Sequence, residues 1–275
     1  MKIVQKIDLH MHTTYSDGHY TPTELITKVK ELNINIVSIT DHDNINGIEE
    51  AISVGKDLGV EVIPGLEIST DVEDREVHIL GYFIDIKNSE LNKYLSFFRE
   101  ERVQRAKIMI NKLVNLGFNI SLDDVLELAK NSAVGRPHIA LAMLNKGIVK
   151  DFYEAFQKYL RDDGPAYERK IHVSSQSALK LISDSGGLSF IAHPTHMKES
   201  ILISLINSGV DGIEVNHPSH NEYQKKYYRG IVNQYCLLES GGSDFHGGLK
   251  DDESNLGKYL LNPKHFNEMG HILTK

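Results

Sequence analysis

The sequence contains one cysteine, Cys236, and no tryptophan. A single cysteine excludes a disulfide framework and a cysteine-based zinc finger, and it is consistent with a reducing compartment. No segment approaches the roughly 20 consecutive apolar residues that a membrane span needs. The first residues, Met1 to Lys6, lack the hydrophobic region of a secretory signal. We therefore predict a cytoplasmic protein that has no membrane partner.

The sequence also has fewer basic than acidic residues. The chain has 30 Lys and Arg residues against 38 Asp and Glu residues, which gives a formal charge of −8. Such a chain is poorly suited to long duplex nucleic acid, which is gripped through broad basic faces. The 275 residues suffice for one large domain or two small ones. Histidine, in contrast, is abundant, with 14 residues.

Short β-branched runs alternate with amphipathic helical stretches along most of the chain. Continuous apolar strands separated by helices are typical of a parallel sheet that is covered by helices. The number of runs predicts a barrel related to the (β/α)₈ design, with an open sheet as the alternative. The predicted strands cover residues 3–9, 34–40, 60–63 with 66–69, 77–83, 188–192, 212–215 and 236–239.

The alternation stops between about residues 88 and 171, where the pattern predicts only helices, over 91–116, 121–130, 137–146 and 151–160. This segment is too long for a simple crossover between two strands. We therefore predict a barrel domain made of residues 1–88 and 172–275, which carries the functional site. Residues 89–171 are predicted to form an inserted helical lid subdomain at one rim of the barrel.

Potential metal ligands follow nearly every predicted strand. The carboxyl ends of barrel strands converge on one face, so residues that are distant in sequence would meet in one pocket. His10 and His12 are two residues apart on an extended chain and therefore point to the same side. The other candidates are Asp17, His42, Glu67, His78, His193, His217, Asp244 and His246.

This candidate set offers nitrogen and oxygen but no sulfur. Imidazole and carboxylate together suit Zn²⁺, Mn²⁺ or Fe²⁺ better than Mg²⁺ or Ca²⁺, which prefer oxygen ligands. A single histidine at a strand end is more often structural, so the prediction of a multinuclear site depends on many such residues sharing one edge. Asp8, Asp41 and Asp43 adjoin these candidates and would orient their imidazoles, with direct ligation as the alternative.

Five segments resemble the successive motifs of the PHP (polymerase and histidinol phosphatase) family of metal-dependent phosphoesterases. In chain order they read DLHMHTTYSDG, ITDHD, GLEIS, AHP and GGSDFHG. The resemblance covers nearly the whole chain and implies an α/β fold, a distorted (β/α)7 barrel, with three metal positions. The first would be held by His10, His12, Glu67 and Asp244. Glu67 would bridge to the second, at His78 and His193, and the third would be held by Asp17, His42 and His246.

The resemblance implies hydrolysis of phosphate esters with two to three divalent transition-metal ions. Binding to such an ion can lower the pKa of water from about 15.7 to about 7. A hydroxide that bridges two ions would then attack phosphorus. Glu67, His193 and Asp244 would be catalytic residues. His217 and His220 could each protonate the leaving group or hold phosphate. We place His220 among the catalytic residues and His217 among the substrate-binding residues.

The helical insert carries a candidate anion site. The segment VGRPH opens a predicted helix, and its free N–H groups, flanked by Arg136 and His138, could bind a phosphate that Arg136 clamps. A surface cap is the alternative. The GRPH string resembles PHP proteins that act on small phosphorylated nucleotides and sugars. Arg102 could meet a second phosphate, with a solvated helix face as the alternative.

We therefore predict a phosphoesterase for a small phosphorylated substrate, of the nucleoside 3′,5′-bisphosphate phosphatase or 5′–3′ short-RNA exonuclease type. The first alternative is a cyclic phosphodiesterase for a ribose cyclic phosphate. Histidinol phosphatase and a non-catalytic metal-binding module are further alternatives. One departure is that Thr195 and His196 follow Pro194, where nucleotide-acting relatives often have Gly-Arg. No protein partner is implied.

Overall fold

The computed structural model describes residues 5–73, 75–130, 132–169, 171, 173–195, 197–248 and 251–274. The chain divides into two compact units, the first comprising residues 1–92 and 173–275 and the second residues 93–172. Each unit is built around its own buried apolar cluster. The predicted role of residues 89–171 as a lid stays a prediction.

The first unit contains a seven-stranded sheet whose strands lie in sequence order. The strands are β1 (Ile7–Asp8), β2 (Ile36–Ile39), β3 (Glu61–Val72), β4 (Arg75–Tyr82), β5 (Leu188–Ile191), β6 (Gly212–Asn216) and β7 (Leu238–Gly241). The backbone N–H of Leu9 donates to the carbonyl oxygen of Gly241 over 3.3 Å, and Met11 pairs with Phe245. The first and last strands thus meet, and the predicted seven-stranded α/β barrel is confirmed.

The prediction of a parallel sheet is wrong at β4. This strand runs antiparallel to both neighbours, with Ser69 of β3 opposite His78 and Leu188 of β5 opposite Tyr82. Val72 pairs directly with Arg75, so the chain reverses in a tight hairpin that leaves no room for a crossover helix. His78 therefore lies within an antiparallel strand and not at the end of a parallel one.

Ten helices accompany the strands within the residues that the structure describes. They are α1 (Pro22–Glu31), α2 (Ile48–Leu58), α3 (Ser89–Asn115), α4 (Leu122–Ala129), α5 (Arg136–Asn145), α6 (Phe152–Ala155), α7 (Ser175–Asp184), α8 (Glu199–Asn207), α9 (Glu222–Tyr235) and α10 (Pro263–Leu273), with a π-helical turn at Phe156–Leu160 after α6. No helix in this part of the chain is long and apolar enough to cross a bilayer. The cytoplasmic location stays a prediction.

Local sequence signals account for where the helices begin. At the start of α1, the hydroxyl of Thr21 accepts from the N–H of Glu24 while the Glu24 carboxylate accepts from the N–H of Thr21, and Pro22 occupies the first turn. The α1 residues Leu25 and Val29 are fully buried in an apolar cluster with β2. Packing of this apolar face therefore fixes the helix against the barrel.

Large apolar side chains fill the barrel. Tyr82 and Phe190 are fully buried in a cluster that also contains strand residues from β1, β2 and β7. Gly212 of β6 lies against this cluster, because a Cβ there would approach the Phe190 ring to 2.3 Å. The barrel is thus a packed core and not a channel.

Candidate metal centre

His10 and His12 lie in the extended chain that follows β1, and both imidazoles are buried. Their Nε2 atoms are only 3.2 Å apart. Oδ1 of Asp244 lies 3.3 Å from Nε2 of His10 and 3.1 Å from Nε2 of His12. Two imidazole nitrogens and a carboxylate oxygen thus lie close to one another, which is an arrangement that suits a divalent cation once both nitrogens are unprotonated.

Glu67, in β3, is the centre of the cluster. Its carboxylate is buried, and its two oxygens face different groups of imidazoles. Oε1 lies 2.9 Å from Nδ1 of His78 and 3.0 Å from Nε2 of His193. Oε2 lies 3.2 to 3.5 Å from nitrogens of His42, His12 and His10. A carboxylate whose two oxygens face different sets of ligands can bridge two ions.

Asp17 gathers a further group of ligands. Its Oδ1 lies 3.3 Å from Nε2 of His246, 3.9 Å from Nε2 of His42 and 3.8 Å from Nδ1 of His12. The rings of His12 and His246 stack with centroids 4.2 Å apart. The first and third predicted metal positions are therefore adjacent, with His12 facing Glu67 through Nε2 and Asp17 through Nδ1.

The structure brings all nine predicted ligands together. Four combinations have ligand atoms within 4.8 Å of one another, namely His12, Asp17, His42 and His246; His10, His12 and Glu67; His10, His217 and Asp244; and His42, Glu67 and His78. His193 joins them through Glu67. In the described part of the chain, Oε2 of Glu67 is buried and makes no hydrogen bond. A buried oxygen without a donor fits a cation, so the donor set suits divalent transition metals.

The charges of these groups are strongly coupled. Burial raises the pKa of Glu67, but nearby imidazoles, above all His42 and His78, outweigh it and hold that pKa well below its ordinary value. Burial and the neighbouring His246 lower the pKa of His12 to about 3. Burial lowers the pKa of His78, but Glu67 outweighs this effect and raises it to about 10. Cation binding must therefore displace a proton from His78, which favours binding at higher pH.

Asp41 organises the loop that carries Asp17. Its carboxylate accepts from the backbone N–H of Thr13 at 2.7 Å, the hydroxyl of Thr13 at 2.6 Å and the hydroxyl of Ser16 at 2.5 Å. Asp8 similarly accepts from the backbone N–H of Ser243 at 2.9 Å. The expectation that these two aspartates orient imidazoles gains no support, because they bind backbone and hydroxyl groups.

Replacing Asp41 by Asn should change how stability depends on pH. Burial raises the Asp41 pKa from 3.8 to about 6, so the stability that this group contributes is present below the unfolded-state pKa and is lost as pH rises through about 6. Asn does not ionise. In metal-free protein, the free energy of unfolding of Asp41→Asn relative to wild type should therefore rise by about 2 kcal/mol between pH 4.5 and 7. Urea titrations of both proteins at both pH values measure this difference. The same change in the free energy of unfolding with pH in Asp41→Asn and in wild type would contradict the prediction.

His217 and His220 follow β6 and differ in their hydrogen bonds. Nδ1 of His217 accepts from the N–H of Ser219 at 3.1 Å, and its Nε2 lies 3.3 Å from Oδ2 of Asp244. Nδ1 of His220 donates to the carbonyl of Val215 at 2.9 Å, and burial lowers the pKa of His220. His217 thus presents an Nε2–H to the site, whereas Nε2 of neutral His220 carries no proton.

The predicted substrate contacts of the insert belong to the second unit. His138 is buried, and its Nδ1 accepts from the N–H of Gly135 at 3.1 Å, which caps α5. Arg136 donates to Asp162 over 2.6 Å and lies above the Tyr167 ring, 5.7 Å from its centroid. Arg102 is half-buried on α3. The capping role left open for this segment is thus present at His138, and phosphate binding is a proposal.

Sequence reasoning missed two features of the site. Glu214 of β6 is fully buried and binds the imidazole of His10; a lone charged residue within the apolar run Gly-Ile-Glu-Val was the available signal. His193 and Asp244 have left-handed backbones, with φ of 28° and 49°. Such strain in residues other than glycine is concentrated at functional sites, but no pattern in the sequence announces it.

The model of the PHP domain family matches residues 8–238. The chain belongs to the PHP domain family. A solved structure described as that of a metal-dependent phosphoesterase from Bifidobacterium adolescentis superposes with a TM-score of 0.88 at 30% identity, covering 96% of this chain and 95% of that chain. The fold described here is therefore shared with a solved structure of similar length.

Three curated relatives span nearly the whole PHP chain. A 5′-3′ exoribonuclease of Haemophilus influenzae is 31% identical over 89% of this chain and 91% of that protein. A 3′,5′-nucleoside bisphosphate phosphatase of Chromobacterium violaceum is 32% identical over 87% of each. A phosphoribosyl 1,2-cyclic phosphate 1,2-diphosphodiesterase of Eggerthella lenta is 29% identical over 87% of this chain and 94% of that protein.

Proposed function

We propose that this PHP protein is a metal-dependent hydrolase of small phosphate esters, of the nucleoside bisphosphate phosphatase or short-RNA exonuclease type. The observation that carries the proposal is the Glu67 carboxylate, which is buried among five imidazoles and has an oxygen without a hydrogen bond. Relatives with these two activities align over most of their length, which supports the substrate class.

Two to three ions of Mn²⁺, Zn²⁺ or Fe²⁺ would occupy the cluster. The first would be held by His10, His12, Glu67 and Asp244, the second by Glu67, His78 and His193, and the third by Asp17, His42 and His246. Such ions lower the pKa of water and neutralise phosphate oxygens. Because the protein carries a formal charge of −8, a phosphate would be attracted to this pocket and repelled by the remaining surface.

The chain's own residues supply hydrogen bonding and proton transfer. His217 presents its Nε2–H towards the ligands, because the permanent donor Ser219 N–H occupies Nδ1. We therefore prefer His217 to His220 as the residue that donates to a phosphate or leaving-group oxygen. His220, which is neutral and hydrogen-bonded to Val215, would support the ring of His217, whose centroid lies 5.6 Å away.

A cyclic phosphodiesterase is the second candidate. The Eggerthella lenta relative is a cyclic-phosphate diesterase by name and aligns over 94% of its length. In the sequence, His196 also stands where nucleotide-acting relatives often have arginine. Both observations are compatible with a substrate that carries a single phosphate, and the same ligands would serve this reaction.

Arg136 is proposed to bind a substrate phosphate. Arg136→Ala should raise KM by roughly tenfold to a hundredfold, because a charged hydrogen bond is worth about 1.5–3 kcal/mol, and should leave the metal content unchanged. Steady-state kinetics and elemental analysis measure these effects. Asp162→Ala is the matched control, since it removes the 2.6 Å ion pair and keeps the guanidinium. Equal effects of the two variants would make Arg136 structural.

A substrate panel tests the proposed function directly. The manganese-loaded protein should be assayed on nucleoside 3′,5′-bisphosphates, on short 5′-phosphorylated RNA and on a ribose cyclic phosphate. Release of phosphate or of mononucleotides supports the first candidate, and opening of the cyclic phosphate supports the second. An absence of turnover on all three would favour the non-catalytic module.

A further inference from the structure

Glu214 joins two ligand-bearing segments of the barrel. It lies in β6 and is fully buried. Its Oε1 is 2.9 Å from Nδ1 of His10, and its Oε2 is 2.9 Å from the backbone nitrogen of His193. One carboxylate thus contacts the side chain of a residue that follows β1 and the main chain of a residue that follows β5.

The hydrogen-bond roles at Glu214 are determined by the two partners. The backbone N–H of His193 can only donate, so Oε2 must accept. An ionised Oε1 can also only accept, which requires the proton of His10 to be on Nδ1. In neutral His10, which is the form that can bind a cation, the remaining ring nitrogen, Nε2, then has a lone pair and faces Glu67 and Asp244 at 3.5 and 3.3 Å.

We propose that Glu214 is a positioning residue that holds His10 in its metal-binding tautomer and tethers the strained backbone of His193. This inference rests on the proposed metal-dependent function. Carboxylates that orient ligating imidazoles raise the basicity of the ligand and fix its ring. The tether also opposes relaxation of the His193 backbone, whose φ of 28° is unfavourable for a residue other than glycine.

Glu214→Gln separates this role from a merely structural one. Gln has one acceptor oxygen, and the N–H of His193 must take it, so the Gln NH₂ group faces Nδ1 of His10. That contact is favourable only when Nδ1 is unprotonated, which moves the proton of neutral His10 to Nε2. The substitution keeps size and shape but turns the ligand nitrogen into a donor, so it should oppose cation binding specifically.

The first experiment measures Zn²⁺ and Mn²⁺ affinity by competition with a chelating dye. Glu214→Gln should bind about 10- to 100-fold more weakly than wild type. Asp211→Asn is the matched control, because Asp211 immediately precedes β6 and accepts from the N–H and hydroxyl of Ser189 at 2.8 Å but touches no predicted ligand in these bonds. Its affinity should equal that of wild type. A folded Glu214→Gln protein with unchanged affinity would overturn the proposal.

The second experiment needs no Glu214 variant that folds. Nitrogen-15 NMR of histidine-labelled, zinc-loaded wild type should show His10 with a proton on Nδ1 and zinc on Nε2, the signal being assigned by its loss in His10→Asn. Zinc on Nδ1 would refute the inference. Neither experiment measures turnover, so the two hypotheses can fail separately. A protein that shows the weaker binding in Glu214→Gln and the Nδ1 proton on His10 but hydrolyses no phosphate ester would overturn the proposed function alone. An active protein that shows neither result would overturn only the role of Glu214.

Discussion

Asp244→Asn should reduce the turnover of phosphate esters by about 10³- to 10⁴-fold. Oδ1 of Asp244 lies within 3.1 to 3.7 Å of nitrogens of His12, His10 and His246, so this carboxylate faces two of the proposed ion positions. Ions stabilise a reacting phosphate by several kcal/mol, and about 4–5 kcal/mol corresponds to that loss at 1.36 kcal/mol per tenfold. Asn keeps the shape of Asp but removes the charge.

The substitution is chosen to leave the fold intact. Asp244 has φ of 49°, and Asn is one of the few residues that tolerate this backbone conformation. Asp251→Asn is the matched control, because Asp251 also has a left-handed backbone, with φ of 56°, but is exposed. Circular dichroism should show normal helix content in both variants. Wild-type turnover in Asp244→Asn would refute a role for the metal ligands in the reaction.

Removal of metal ions should abolish turnover and lower the melting temperature by at least about 5 °C. An ion at 100 times its dissociation constant stabilises the folded state by about 2.7 kcal/mol, and each kcal/mol shifts Tm by roughly 2–4 °C in a domain of this size. Without ions, the negative charge of Glu67 is compensated by imidazoles such as that of His78, whose pKa is raised to about 10. Scanning calorimetry with and without chelator measures the change.

Reconstitution completes this experiment. Added Mn²⁺ should restore both turnover and Tm, and elemental analysis should find more than one transition-metal ion per chain. Asp244→Asn serves as the control, since its Tm should respond less to chelator. Turnover that survives exhaustive chelation would contradict metal dependence, and a fully active protein with at most one ion would contradict the three-position assignment.

The direction of β4 shows what hydrophobic patterning leaves open. The alternation of strands and helices predicts a barrel because each strand is buried on both faces, and such a strand reads the same in either direction. The link between Val72 and Arg75 contains no Asn-Gly or Asp-Gly pair of the kind that marks a hairpin. The reversal is therefore determined by pairing with β3 and β5, which only the folded chain contains.

Most candidate ligands could be predicted because they lie just beyond strand ends, where a barrel collects side chains from distant segments, whereas Glu67 and His78 lie within β3 and β4. The lone charge of Glu214 in an apolar run is visible in the sequence, but its partners His10 and His193 could not be predicted, since no spacing relates them to it. His217 and His220 look equivalent in sequence, and the bonds to Ser219 and Val215 that distinguish them exist only in the folded chain.

The contacts between the first and last strands of the barrel have a consequence for folding. Leu9 bonds to Gly241 and Met11 pairs with Phe245, so the contacts that close the barrel join distant parts of the chain and form at a large entropic cost. The proposed ion ligands His10, His12 and Asp244 sit beside these pairs. Cations held by these residues would therefore stabilise the contacts that close the barrel.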